Sequence, residues 1–468
     1  LVEEPLNKMS PPDWNWADFL GIKLAEIIHD FSSVLPVDIV EEIKISLDHA
    51  AHSIFRRNVL AGYTNIAVKG GCITAAAGEM LDNPALLRYG TRRLESIVEH
   101  FHFHGGFNEY NSPTYLGIVL DVCEIGLRII KTPEARTYCE QIWELAWKSV
   151  ADHFHPATRQ LCGPQSRSYS DFLSENFSAY LGNRTGLWTQ DGTIENSGPP
   201  CPTHILERFR CLPISPLQTE HQYINREDGH ATKGTTWFAE NACLGSVSHG
   251  ITWHQSRPLL GYWGNTNQAS SIRIRVLRDG LDFSSGFVWN AQEGPRVLTA
   301  WNFLTDGGDF HPHLDKPEGG IFTSRDLRLR YELKGGNISA RKLSDNQFEL
   351  ASGNYRAVIH TMPSLFAGIE IKWQLTIEPD FVAVDGICSL SDEHLNFQNI
   401  DEVLIVSGIE LLEPEQNPTT TKIRGTRTSD NIQYEWHLKD KLLQLESPIR
   451  PVAQNETNKY GRIELGNQ

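Results

Sequence analysis

The sequence lacks any cluster of Lys and Arg and any apolar run near the roughly 20 residues that span a bilayer. Lys and Arg total 42 against 58 Asp and Glu, a formal charge of −16. A chain of that sign has no stripe with which to neutralise a phosphate backbone, so nucleic acid is not its expected partner, and neither is a membrane. The 8 cysteines contain no Cys-x-x-Cys pair of the kind that zinc and thiol-redox sites use. Only Cys201 and Cys211 lie close together in a Pro-rich stretch, where a local disulfide is expected.

What is present describes a globular protein. An apolar fraction of 40% and an aromatic fraction of 10% can build a large core, and 468 residues suit two or more folding units. The acidity is uneven: residues 1 to 50 hold 3 basic and 10 acidic side chains. The excess therefore does not exclude an anionic substrate elsewhere. The chain opens at Leu1, which reads as a mature, signal-cleaved product, and carries acceptor sequons at Asn176, Asn183, Asn337 and Asn455. A secreted, extracellular glycoprotein is the expectation.

Apolar residues recur at three- and four-residue spacing in six segments: 14–32, 37–55, 64–81, 84–103, 113–130 and 133–153. Their short connections predict three antiparallel hairpins, whose first members start near Trp14, Tyr63 and Ser112, 49 residues apart. From about Ala231 the period changes to two, as in Ser271-Ile-Arg-Ile-Arg-Val-Leu and Leu327-Arg-Leu-Arg-Tyr-Glu-Leu. The expected architecture is α+β, with an incomplete α/α toroid over residues 1–230 and an antiparallel β-sheet domain over 231–468.

In a ring of hairpins, the first helices run the same way, so their N-termini share one rim. Asn65 follows Thr64, the expected cap of the second hairpin. Tyr115 sits in the first turn after Ser112-Pro113, a cap with Pro at the first helical position. A helix N-terminus favours the anion of a phenol and lowers its pKa from about 10, which suits proton transfer. One repeat further on, Gly163-Pro-Gln-Ser-Arg-Ser-Tyr169 offers Arg167 as a bidentate carboxylate holder and Tyr169 as a second phenol. Each of these residues also has a plain role as a cap or packing group.

The stretch Gly105-Gly-Phe-Asn-Glu-Tyr-Asn-Ser-Pro-Thr-Tyr115 resembles the Gly-x-x-x-Glu-x-Ser-x-x-Tyr motif of the heparinase II/III-like polysaccharide lyases, and the Thr64-Asn65 helix start resembles their Asn-bearing helix. The resemblance implies an incomplete toroid followed by β-sheets, and β-elimination from a uronic-acid glycan. That reaction needs a neutralised carboxylate, a base at C5 and an acid at the leaving oxygen. Asn65, Tyr115 and a His would fill these roles with no metal or other cofactor. His249 lies 134 residues after Tyr115, a separation similar to the family's; His204, His102 and His104 are alternatives. The family's His-x-His-x-Asp stretch has an echo in His311-Pro-His-Leu-Asp315. Asn111 could orient the substrate, and Trp188, Trp237, Trp253 and Trp263 could supply stacking platforms.

Three other readings compete. A glycoside hydrolase would use two of Glu109, Asp121 and Glu124. A lyase-like scaffold could serve proton transfer or cyclisation on a small metabolite. A carbohydrate-binding protein would show no turnover at all.

Overall fold

The computed structural model describes residues 13–189, 198–225, 231–308, 320–389 and 393–459. The chain divides into two compact units, Leu1–Asp152 with Ser174–Glu207, and His153–Leu173 with Arg208–Gln468. This division differs from one cut at residue 230, because residues 153–173 and the strand Leu217–Asn225 go with the sheets.

The six helical segments are α1 (Trp16–Phe31), α2 (Val37–Arg57), α3 (Thr64–Met80), α4 (Pro84–His104), α5 (Pro113–Ile129) and α6 (Pro133–His153). Two shorter helices follow, α7 (Glu175–Thr185) and α8 (Thr203–Arg210). Local chemistry sets many of the ends. Asn83 caps α4 through bonds to Ala85 N and Leu86 N at 3.1 and 3.2 Å, Pro84 follows, and Gly105 closes the helix at φ 78°. Helix α3 is the central member, with residues 64–78 all buried. A glycine on each helix lets α3 and α4 approach: a Cβ on Gly78 of α3 would lie 2.3 Å from Leu87 N, and one on Gly90 of α4 2.3 Å from Ala75 N. The hairpins stack as an incomplete α/α toroid. No described helix is long and apolar enough to cross a membrane.

The second unit is an antiparallel sandwich. A nine-stranded sheet runs in the order 372–377, 382–389, 327–334, 268–278, 259–265, 242–248, 231–238, 217–225, with 281–282 alongside 268–278. An eight-stranded sheet has 339–344, 347–352, 355–361, 403–412, 296–303 and 286–293 as its main path. Alternation turns Ile272, Ile274, Leu327, Leu329, Tyr331 and Leu333 inward, and the core lies between the sheets. Polar stitches cross it: Trp263 Nε1 donates to Ser352 O at 2.8 Å, and the Tyr331 hydroxyl meets Ser407 Oγ at 2.9 Å.

The opposite face of the nine-stranded sheet carries charges in alternation with that core. Glu332 accepts from Arg273 at 3.1 Å and Arg275 at 2.8 Å; Arg273 also meets Asp171 at 2.9 Å. Asp385 holds Arg330 at 2.7 Å and Arg328 at 2.9 Å. These cations hold the Glu332 carboxyl down to about 2 despite its burial, and lower Asp171 and Asp385 as well.

All eight cysteines are free thiols, which corrects the expected Cys201 to Cys211 disulfide. The eight residues of α8 separate the two by roughly 12 Å of helical rise, well beyond the reach of a disulfide.

Candidate functional site

The loop between α4 and α5 reaches back to the start of α3. Glu109, only 6% exposed, accepts from Asn65 N at 2.9 Å and from Asn65 Nδ2 at 3.0 and 2.8 Å. A carboxylate from 44 residues away therefore caps α3, where the helix dipole favours negative charge. Thr64 was expected to do this. It lies inside the helix, its hydroxyl makes no hydrogen bond, and the capping position belongs to Tyr63. Both Glu109 oxygens lie on one side of the Asn65 amide nitrogen. One hydrogen serves them, and the second diverges from the clamp.

Tyr115 occupies the third position of α5 and is buried, 8% exposed. Pro113 takes the first helical position as expected, while Ser112 makes no side-chain cap bond. Helices α3 and α5 run in the same direction. Glu109 ties the approach to α5 to the start of α3; Glu79, near the end of α3, accepts from Lys131 N and Thr132 N just beyond α5, at 2.9 and 2.7 Å. Asn65 and Tyr115 thus stand at the same end of neighbouring helices. Asn111, 2% exposed, adopts the left-handed conformation at φ 45°, which lets the loop turn into α5. His102 and His104 lie at the C-terminal end of α4, with His102 exposed.

Trp188 folds back on α7: its Nε1 donates to Ser178 O at 3.2 Å, and a Cβ on Gly182 would lie 2.5 Å from that nitrogen. His204 is exposed in the first turn of α8. The remaining sequence candidates belong to the β unit and are described within it. Arg167 donates to Gln255 Oε1 at 3.2 Å and lies 5.0 Å from the centre of the Trp253 ring. Tyr169 is 61% exposed. His249 is 1% exposed and left-handed at φ 56°, and its carbonyl accepts from Thr232 Oγ1 at 2.8 Å. Trp263 corrects one expectation: at 1% exposure it is core, not a stacking platform. His311, His313 and Asp315 lie outside the described residues. Among the described residues no group of three or more His, Cys, Asp and Glu is placed to hold a metal.

The three carboxylates considered for hydrolysis are differently placed. Glu109 is the α3 clamp. Glu124 accepts from Arg184 at 2.6 and 3.1 Å and from the Tyr180 hydroxyl, and burial beside this carboxylate raises the Tyr180 pKa. Asp121 makes no ion pair among the described residues.

Sequence reasoning missed the Glu109 clamp and the Glu124–Arg184–Tyr180 cluster. No local pattern marks contacts between residues 44 and 60 positions apart. The Glu109 signal available was its place in the motif itself.

Residues 7–204 match the model of a domain of unknown function, DUF8769. No curated protein matches the sequence. Among solved structures the chain is similar to heparinase III, at 9% identity and TM-score 0.45, over 94% of this chain and 75% of that one. It is also similar to the heparan sulfate lyase HepC of Pedobacter heparinus, at 11% and 0.32 over 94% and 74%. Chondroitin AC lyase of Streptomyces coelicolor A3, determined with chondroitin sulphate, is similar at 9% and 0.30 over 87% and 85%.

Proposed function

We propose that the protein is a carbon–oxygen lyase that cleaves a uronic-acid-containing glycan by β-elimination. The observation that carries this reading is the Glu109 clamp, which fixes Asn65 at the same end of the helical unit as Tyr115. The second Asn65 N–H hydrogen-bonds the substrate carboxylate and disperses the charge of the enolate. Tyr115, in the first turn of α5, takes and returns a proton. A His completes the transfer, and His249 is the first choice: a buried non-glycine residue held left-handed carries backbone strain of the kind that gathers at functional sites. Arg167, Asn111, Tyr169 and Trp188 are the substrate-contacting candidates. The exposed sequon residues Asn176, Asn183, Asn337 and Asn455 support secretion as a glycoprotein.

The test is a screen of uronic-acid oligosaccharides for the conjugated product that elimination leaves, read by ultraviolet absorbance. Tyr115→Phe removes one hydroxyl and should lower kcat by 10²- to 10⁴-fold, as is usual for loss of an acid–base group, with an unchanged circular dichroism spectrum. Reducing ends without a conjugated product would mean hydrolysis instead, and a Tyr115→Phe variant with full lyase activity would end the assignment of this phenol.

A further inference from the structure

Among the described residues, ten of the eighteen exposed large apolar side chains lie between Trp14 and Tyr63, on the α1–α2 hairpin and its flanks. Such a concentration marks a contact surface rather than scattered surface residues. Helix α1 already has one packed face, made of Ala17, Gly21, Ile22, Ala25 and Ile28. That face meets the rest of the helical unit: a Cβ on Gly21 would lie 3.1 Å from the Ile73 side chain of α3.

A second apolar stripe runs down a different face of the same helix. Leu20 and Phe31 are 40% and 51% exposed, and Leu24 and Ile27 between them are half-buried. Their spacing of four, three and four residues aligns them along three turns, the pattern of a seam between two helices.

Two features of the stripe identify its partner. The spacing reads the same in both directions, so a second copy of α1 laid antiparallel sets Leu20 against the partner's Phe31 and Leu24 against the partner's Ile27. A two-fold axis then repeats each contact, as an isologous interface requires. The charges agree with this arrangement. Lys23 and Asp30 are seven residues apart on one flank of the stripe, and the same operation brings each Lys23 beside the partner's Asp30. The Lys23 side chain is 59% exposed and meets Glu26 on its own helix at 2.7 Å. Asp30 meets His29 and Arg128, and a carboxylate has lone pairs for a further donor. Beyond the stripe, Trp14 is exposed at one end and Val34 and Val37 at the other, so antiparallel pairing continues the apolar contact past both ends of the seam.

We propose that the chain forms a two-fold homodimer through antiparallel pairing of α1 with its copy. The interface uses neither Asn65 nor Tyr115 and is independent of the elimination chemistry.

Sedimentation velocity of the full chain from about 1 to 100 µM tests this. The unaltered chain should sediment as a dimer at the upper end of that range. Leu20→Glu and Phe31→Lys should each weaken association about tenfold or more, with unchanged circular dichroism spectra. Both substitutions in one chain should associate more tightly than either alone, because each carboxylate then faces an ammonium group of the other copy. Within one chain the two positions are roughly 16 Å apart and do not meet. Ile214→Glu, at an exposed position of the β unit, should change nothing. An unaltered chain that stays monomeric at 100 µM would overturn the proposal, whether the stripe is bare or covered by another segment of the polypeptide. So would a dimer indifferent to Leu20→Glu and Phe31→Lys, or a double variant no tighter than the single ones.

Discussion

The two units bury polar groups in different ways. In the helical unit they form small separate groups: Glu109 on the start of α3, Glu124 with Arg184 and Tyr180, and Asp18 with Arg57. In the β unit they form a network across one sheet face, in which Glu332 meets Arg273 and Arg275 and Asp385 meets Arg328 and Arg330. A helix leaves its backbone donors unmet only at its ends, which is where Glu109 is held, while Glu124 inside α5 depends on the Arg184 and Tyr180 side chains. A sheet has met its backbone groups laterally, and every second side chain along each strand faces the same way, so charges on that face become a ladder. The first arrangement leaves donors such as the second Asn65 N–H for other work. The second is occupied with its own neutralisation.

The sharpest way to break this comparison is to remove the centre of the ladder. Glu332→Gln leaves Arg273 and Arg275 short of a buried counter-charge and should cost about 3 to 5 kcal/mol. Hydrogen exchange should quicken in strands 268–278 and 327–334 while protection in α3 and α5 stays the same. Equal loosening of both units would show that the two are not separate in stability.

Acid should move the units in opposite directions. Glu332 is held at about 2, below its ordinary 4.5, so its contribution is full above pH 4.5 and is lost as pH falls toward 2, about 3 kcal/mol in all. Asp18 in α1 is raised by burial to about 6 from 3.8, a larger effect than the attraction of Arg57, Arg93 and Lys69. The folded helical unit therefore binds that proton more tightly than the unfolded chain. Its stability should rise by up to about 3 kcal/mol as pH falls from 6 to 3.8, and Asp18→Asn should flatten that dependence. Residue-resolved exchange between pH 6 and pH 3 reads both trends at once.

The smallest effect belongs to the clamp. Glu109→Gln keeps the size of the side chain but removes the charge that complements the α3 terminus, for a loss of about 1 to 2 kcal/mol. If the clamp positions Asn65, the variant also lowers kcat on a uronate substrate while keeping the shape of the pH profile, whereas a merely structural Glu109 would lower only the melting temperature.

Much of the fold was legible in the residues. The helical period placed α2, α3, α4, α5 and α6 within two residues of their ends, and the change to alternation located the long strands. These signals are local, set by which side chains share a face within one or two turns or along one strand. The common end of Asn65 and Tyr115 was legible too, because the repeat carries helix direction with it. What failed depended on distance through space. Thr64 looked like a cap, but the amide of Asn65 is met by Glu109 from the loop that leads into α5. Cys201 and Cys211 looked close in a loop, but a helix holds them apart. Trp263 could not be told from a surface Trp without knowing which face of its strand the second sheet covers.

By itself, then, the sequence determined two things: the order of helices before strands, because periodicity is a property of neighbouring residues, and the residue types available for proton transfer. Only the tertiary structure decided which carboxylates are spent on helix ends and which are locked to arginines. Hydrogen bonds and ion pairs are satisfied by whichever group packing brings near, and packing joins residues that no local pattern relates.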